Sequence, residues 1–312
     1  MARTAPRILV SIVNWNNSSA TNICLASIAN IPEGDQPDIV LVDNGSTEEM
    51  LIKPEVIKNL QSLRIVKNDR NLGFAAGHNP NIKYAFENQY DYAVLLNNDS
   101  EVMDKILFSS LAEAIEKRPK AIGANPTILS SVNPDVVWYG GGRLSLKTGY
   151  TSHKLVGQDV SRIPDGDQAV SLLTGGCLAI NLKRAELKDL LLPEAYFVYW
   201  EDTEWCARMI RLGFELLYVP RVKLLHNVSS SLGVRSPTYI YYNIRNHLLF
   251  IRRNIQPLLR PAAWTVLIWI VLKYKLNILL RYRRDRLRSF KAVWVGCLDG
   301  LRGRTGSLGK NL

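Results

Sequence analysis

Cysteine, histidine and methionine are scarce in this chain, with four of each among 312 residues. Cys24, Cys177, Cys206 and Cys297 lie far apart without a CxxC pair, which argues against a zinc ribbon or a disulfide framework and fits a reducing compartment. No GxGxxG follows the first apolar run, and GxxxxGK[ST], GxSxG and HExxH are missing as well. Dinucleotide binding, P-loop chemistry, nucleophile-elbow hydrolysis and helix-borne zinc proteolysis therefore lack support. The opening residues carry only a strand-length apolar run, 8–13, and no signal-peptide core. Near the other end, the apolar stretch 262–272 is free of charge but too short to span a bilayer. Acid is nearly absent from the tail. From residue 252 onward there are 14 Lys and Arg against 2 Asp, whereas residues 1–251 hold 25 basic and 26 acidic side chains. The net charge of +11 thus sits in the tail, which calls for an anionic partner, either a membrane or a nucleic acid.

What is present is a regular alternation. Residues 8–15 read as a strand, and Asn17 or Ser18 caps a helix running to about residue 30. Residues 38–42 form a second strand ending in Asp43-Asn44-Gly45-Ser46, with a helix expected from about Thr47 and begun afresh at Pro54. Residues 63–67 give a third strand; a glycine-containing loop follows, with helical spacing from about Pro80. Residues 92–96 give a fourth, followed by an amphipathic helix over 105–117. Four such units with short polar junctions predict an α/β fold with a largely parallel, doubly wound sheet. Residues 121–171 read as loops and a small antiparallel insertion. A strand over 171–182, a helix over 201–212 and strands over 214–219 and 222–225 are expected next. From about residue 236 the signal is helical, so the expected division is an α/β domain over 1–235 and a basic, apolar helical region over 236–312.

Carboxylates gather at the predicted edges of the sheet. The apolar run 92–96 stops at Asn97-Asn98-Asp99-Ser100, which reads as a buried strand delivering an acid to its carboxyl edge, where open α/β sheets bind ligands. Asp43 ends the second strand, and Glu201, Asp202 and Glu204 open the helix 201–212. Each acid alone is more often a cap or a solvated charge. Three clusters at sheet edges point to a ligand site. An acid after the second strand commonly contacts a ribose or base, one after the fourth can hold a metal, and one near an acceptor can act as general base. His226 is an extra metal ligand or a satisfied loop histidine.

In order, the chain carries VNWN (13–16), VDNGS (42–46), NDRNLGFAAGHN (68–79), LLNNDS (95–100), TGGCLAI (174–180), YWEDTEWCARMIRLGFELLYVP (199–220) and LLHNVSSS (224–231). As an ordered series over roughly residues 8–253, this resembles the family 2 glycosyltransferases, specifically the rhamnosyltransferase-like branch of bacterial polysaccharide biosynthesis. The resemblance implies a GT-A fold, an inverting reaction and a nucleotide-sugar donor held with a divalent metal, Mg²⁺ or Mn²⁺. It places nucleotide contacts at Asn14, Asp43, Asn71, Gly73 and Asn79. The family's DxD motif falls on Asn97-Asn98-Asp99, with Asp99 the metal ligand, and its metal-associated histidine resembles His226. Its ED motif falls on Glu201-Asp202, with Asp202 the general base. The chemistry is consistent: a cation neutralises the diphosphate leaving group through hard oxygen ligands, and direct displacement needs a base but no covalent nucleophile. The sequence departs from the pattern at Asn97, a neutral residue in the first DxD position, and at Pro80-Asn81, where a freer turn ending in glycine is expected.

The tail's basic residues flank Trp264, Leu267, Ile268, Trp269 and Ile270, which suit a lipid interface or a core better than a nucleic acid. No nucleic-acid partner is expected. With the resemblance, the expected donor is dTDP-rhamnose, with UDP-sugars next. The expected acceptor is a hydroxyl on a polyprenyl-linked or growing oligosaccharide, and the expected location is cytoplasmic, peripherally bound to the inner face of the membrane. The competing readings are a donor-binding scaffold without catalysis, suggested by Asn97, and a UDP-sugar-dependent transferase. The sequence carries no signal for oligomeric state.

Overall fold

The computed structural model describes residues 5–227, 236–281 and 285–308. The expected division at residue 235, residues 228–231 of the last motif, and Arg283 and Arg284 of the basic cluster lie outside the described residues.

Period-two alternation of side chains between two buried faces sets the layering. In β1 (Ile8–Asn14) and β2 (Asp38–Asn44), alternate side chains leave opposite faces of one sheet. Leu9, Val40 and Val42 join one hydrophobic cluster, whereas Val10, Ile12, Ile39 and Leu41 join the other. The first cluster is covered by α3 (Phe74–Glu87), α6 (Glu201–Arg211) and α7 (Pro237–Asn254), the second by α1 (Ser18–Ala29) and α4 (Leu107–Glu116). Two short helices, α2 (Pro54–Lys58) and α5 (Leu187–Leu190), sit in connections.

The remaining strands are β3 (Leu63–Asn68), β4 (Tyr92–Asn97), β5 (Ser100–Val102), β6 (Ala121–Ser130), β7 (Val137–Tyr139), β8 (Gly142–Leu144), β9 (Thr151–His153), β10 (Gln168–Val170), β11 (Cys177–Asn181) and β12 (Glu215–His226). The main sheet runs β10-β12-β6-β11-β4-β1-β2-β3, with β5 paired to β12 and β7 to β6, while β8 and β9 form a separate ribbon. Strands β3, β2, β1 and β4 are parallel, but β11 enters antiparallel between β4 and β6, so the sheet is mixed. The strand order reverses between β1 and β4, and their carboxyl ends open the crevice where such sheets bind ligands.

Several local expectations shift for identifiable reasons. No helix starts at Thr47; the backbone donors of Thr47, Leu51 and Lys53 instead go to the side chains of Asn16, Ser18 and Asn22. Helix α3 begins at Phe74, six residues before Pro80, because the carbonyl of Phe197 accepts the Phe74 N–H at 2.7 Å and so supplies a first-turn partner. The strand expected over 171–182 shrinks to β11, since the preceding residues wrap the Asn125 side chain. The two strands expected over 214–225 are one, β12, whose register against β6 jumps between Val219 and Lys223 around Pro220.

The tail forms α7, α8 (Arg260–Arg281) and α9 (Arg286–Arg302). Helix α7 belongs to the first core cluster through Ile240, Tyr241, Ile244, Leu248 and Phe250. Helix α9 packs tightly on α7: a Cβ on Gly300 would lie 2.6 Å from Leu248 Cβ. Helix α8 is different. The charge-free stretch is short, yet Pro257–Leu280 as a whole is long and apolar enough to cross a membrane by length and composition, and 17% of its apolar window is buried.

Candidate active site

The carboxyl edge is assembled from short polar side chains that fold the loops before they could meet a ligand. Asn14 ends β1 in register with Asp43, and its Oδ1 accepts from the Asn17 N–H, the Thr21 hydroxyl and Asn98 Nδ2. Asn98 is thereby committed to the protein interior. Asp43 Oδ1 accepts the Ser46 N–H at 3.0 Å, which closes the turn after β2. Asn44 then ties that turn to the glycine loop: its Nδ2 donates to Asn71 Oδ1 and the Gly73 carbonyl, and its Oδ1 accepts the Leu72 N–H. Asn71 Oδ1 also accepts the Gly73 N–H at 2.8 Å. Gly73 has φ 87°, and a Cβ there would run into the Phe197 carbonyl oxygen, so glycine is required twice over. Asp43, Asn71 and Gly73 are thus brought together through Asn44, which sequence reasoning did not single out. Asn79 turns elsewhere. Its amide donates to the Leu192 carbonyl and Glu194 Oε1 and accepts the Leu192 N–H, bracing the chain ahead of α6.

Pairing of β5 with the end of β12 places Ser100 opposite His226 and so brings the two halves of the chain together. His226 Nε2 lies 2.9 Å from Asp99 Oδ1 and 3.2 Å from Asn97 Nδ2. The edge of Trp138 meets the imidazole at 4.9 Å between centroids. Among the described residues, His226 Nδ1 and Ser100 Oγ are buried without a hydrogen-bond partner, an arrangement that asks for a ligand or water. No group of three or more His, Cys, Asp or Glu side chains clusters among the described residues. A carboxylate and an imidazole fit a divalent cation that draws its other ligands from a diphosphate and water, the usual way Mg²⁺ is held. Asn97 adds no charge to that set.

The acid pair lies across a glycine dipeptide. Residues 174–176 form a loop in which the Gly176 carbonyl accepts the Asn97 N–H and the Gly175 N–H donates to Asp202 Oδ2 at 3.0 Å. Asp202 Oδ1 accepts from the Thr203 N–H and hydroxyl. Both acids sit in the first turn of α6, where unpaired N–H groups favour negative charge. Glu201 is 4% exposed, and its Oε2 has no partner among the described residues. Burial, then the neighbouring Asp202 charge, pushes its carboxyl up to about 8. Burial also raises Asp202, opposed by the Gly175 and Thr203 hydrogen bonds. Burial thus favours keeping a proton on the pair. Glu204 serves the scaffold instead. Arg253, Asn254 and the Tyr196 hydroxyl hold its carboxylate and so tie α6 to α7.

A raised Glu201 has a consequence for stability. The folded protein retains a proton that the unfolded chain releases above about 4.5, so stability falls as pH rises from there to about 8. Glu201→Gln removes that loss. Denaturant unfolding at pH 8.5 is expected to show the variant gaining on the native protein by on the order of 4 kcal/mol relative to pH 4.5; an unchanged difference would rule the shift out.

The segment leading into α6 is strained. Phe197 (φ 68°, ψ −58°), Tyr199 (φ 65°) and Trp200 (φ 79°) all occupy the positive-φ region, at a cost of about 1 to 3 kcal/mol each. Such strain clusters at sites that must hold a geometry. Arg245 and Asn246 on α7, fully buried, contact this segment; nothing in the aromatic, basic sequence of that helix marks them out.

Residues 9–154 match the sequence model of the family described as Glycosyl transferase family 2. The chain is similar to the dTDP-rhamnosyl transferase RfbF of Shigella flexneri, 22% identical over 280 residues, covering 86% of this chain and 87% of that protein. It is also similar to the N-acetylglucosaminyl-diphospho-decaprenol L-rhamnosyltransferase of Mycobacterium tuberculosis, 24% identical over 277 residues, covering 82% of this chain and 88% of that protein. Among solved structures, the mannosyltransferase PcManGT from Pyrobaculum calidifontis in complex with GDP-Man and Mn²⁺ superposes with a TM-score of 0.56 at 14% identity, covering 95% of this chain and 87% of that one.

Proposed function

Because the chain belongs to the family 2 glycosyltransferases and has their GT-A fold, we propose that it moves rhamnose from dTDP-rhamnose to a hydroxyl of a polyprenyl-linked or growing bacterial glycan, with inversion. The observation that carries the reading is the placement of Asp202, beside the buried Glu201 and one glycine dipeptide away from Asn97, Asp99 and His226.

Asp202 takes the proton of the acceptor hydroxyl as its oxygen attacks the anomeric carbon. The bond from that carbon to the diphosphate oxygen breaks, and the nucleoside diphosphate leaves. Asp99 and His226 hold the divalent cation, Mg²⁺ or Mn²⁺, which when bound neutralises the diphosphate charge. Asp43, Asn71 and Gly73 line the nucleotide side, and Asn14, fully buried with its amide engaged by Asn17, Thr21, Asn98 and Ser46, supports it from within. Asn98 and Asn79, whose amides are engaged within the protein, shape that side through their neighbours. The name of the mycobacterial relative supports a polyprenyl-linked acceptor.

The tail supports docking at the cytoplasmic membrane surface. Ile268, Trp269, Leu272 and Leu276 on α8 are each more than half exposed, and the surrounding charge is basic. One assay addresses donor and surface together. Nucleotide release is measured for dTDP-rhamnose, UDP-glucose, UDP-GlcNAc and GDP-mannose with Mn²⁺, using a GlcNAc-diphospho-polyprenol in anionic vesicles or in detergent. Turnover of dTDP-rhamnose is expected to exceed the others by at least about tenfold, and vesicles are expected to raise it. Preference for a UDP-sugar would overturn the donor, equal rates in detergent would count against docking, and donor binding without release would favour the scaffold reading.

A further inference from the structure

The strained segment ahead of Asp202 is held by α7. Asn246 Nδ2 lies within hydrogen-bond distance of the carbonyls of Tyr196, Val198 and Tyr199, at 3.1, 2.8 and 2.8 Å. Arg245 Nη2 donates to the Tyr196 carbonyl at 2.6 Å, and its Nε donates to Asn246 Oδ1 at 2.7 Å, which fixes the amide that does the holding. Each positive-φ residue also rests its ring on α7. Phe197 stacks on Tyr242, Tyr199 meets Tyr239 edge-on, and Trp200 stacks on His247 at 4.3 Å between centroids. The chain after α9 joins the same brace: Arg245 Nη1 donates to the Gly306 carbonyl, the Gly306 N–H donates to the Ala195 carbonyl, and the Leu308 N–H donates to the Tyr242 hydroxyl.

A buried guanidinium is an unfavourable way to fill a core, since an apolar side chain of like size packs there without desolvating a charge. Arg245 directs its donors to two backbone carbonyls and one amide oxygen among the described residues. That pattern suits the fixing of a backbone path, which would otherwise relax out of the left-handed region. We propose that Asn246 and Arg245 are positioning residues that hold residues 196–200 in the conformation presenting Asp202 to the acceptor. The proposal rests on the reading of Asp202 as the base. The segment also touches the donor side, because the Phe197 carbonyl accepts the Phe74 N–H beside Gly73. Through this contact, α7 sets the spacing of the two sides of the site.

The test compares Asn246→Ala, Arg245→Lys and Asp202→Asn in the full chain. Binding of dTDP-rhamnose with Mn²⁺ is measured by calorimetry, turnover is normalised to the number of binding sites, and amide hydrogen exchange is followed by mass spectrometry. Asn246→Ala is expected to lower turnover per binding site about 100-fold and to speed exchange over 196–203 while α7 stays protected. Arg245→Lys, which keeps the charge but loses the planar fork, is expected to lower turnover about tenfold. A purely structural role would reduce the number of binding sites and leave turnover per site alone. Asn246→Ala with native turnover per site and native exchange over 196–203 would overturn the brace, provided Asp202→Asn is inactive. An active Asp202→Asn would instead remove the base reading and the proposal with it. If Asn246→Ala does not fold, Arg245→Lys decides by the same two readouts.

Discussion

Asp99→Ala is expected to lower turnover over donor KM by at least about 100-fold and to abolish stimulation by Mn²⁺. The reason lies in how little the protein offers the cation. In the proposed site Asp99 would supply the carboxylate beside His226 where β5 meets β12, Asn97 next to it is neutral, and His226 would supply a nitrogen. A hard divalent ion prefers oxygen, so removing Asp99 leaves an imidazole and the donor's own phosphates. His226 would also lose its neighbour 2.9 Å from Nε2, leaving the ring less well oriented. Titrating Mn²⁺ into the assay at fixed donor checks this: the native protein is expected to saturate, and the variant to stay flat. Undiminished Mn²⁺ dependence in Asp99→Ala would move the metal site elsewhere.

Asp202→Asn is expected to lower transfer by about 10²- to 10⁴-fold, the range a general base contributes. The amide keeps the side chain's shape but offers one acceptor oxygen where Asp202 uses two, for the Gly175 N–H and for Thr203, and it cannot take a proton. Donor binding is expected to persist, since the Asn44-centred contacts among Asp43, Asn71 and Gly73 do not involve Asp202. Glu201 is a poor substitute, because it is buried. The loss should therefore fall on turnover and leave donor KM nearly unchanged.

Much of this site was legible because its residues end apolar runs. Asn14, Asp43 and Asn97 close strands whose hydrophobic stretches mark where the sheet stops, so their shared edge follows from strand boundaries alone. Pairing was not legible. The apolar run predicts a strand over 171–182, but neither its contraction to 177–181 nor its antiparallel course between β4 and β6, and so the mixed sheet had to be seen. Side-chain competition for backbone groups hid the rest. Asn16, Ser18 and Asn22 claim the backbone donors of Thr47, Leu51 and Lys53 and prevent a helix there, and the Phe197 carbonyl lets α3 start at Phe74. Arg245 and Asn246 were the hardest to find. Within an aromatic and basic helix, spacing alone does not separate two buried polar residues from the exposed ones around them.

If one carboxylate deprotonates the acceptor while the acceptor attacks the donor directly, each single transfer inverts the anomeric centre. NMR of the glycan made by the native protein should show the sugar linked with the anomeric configuration opposite to that in the nucleotide donor. Retention of the donor configuration would require a covalent or front-face route, and would contradict the role given to Asp202.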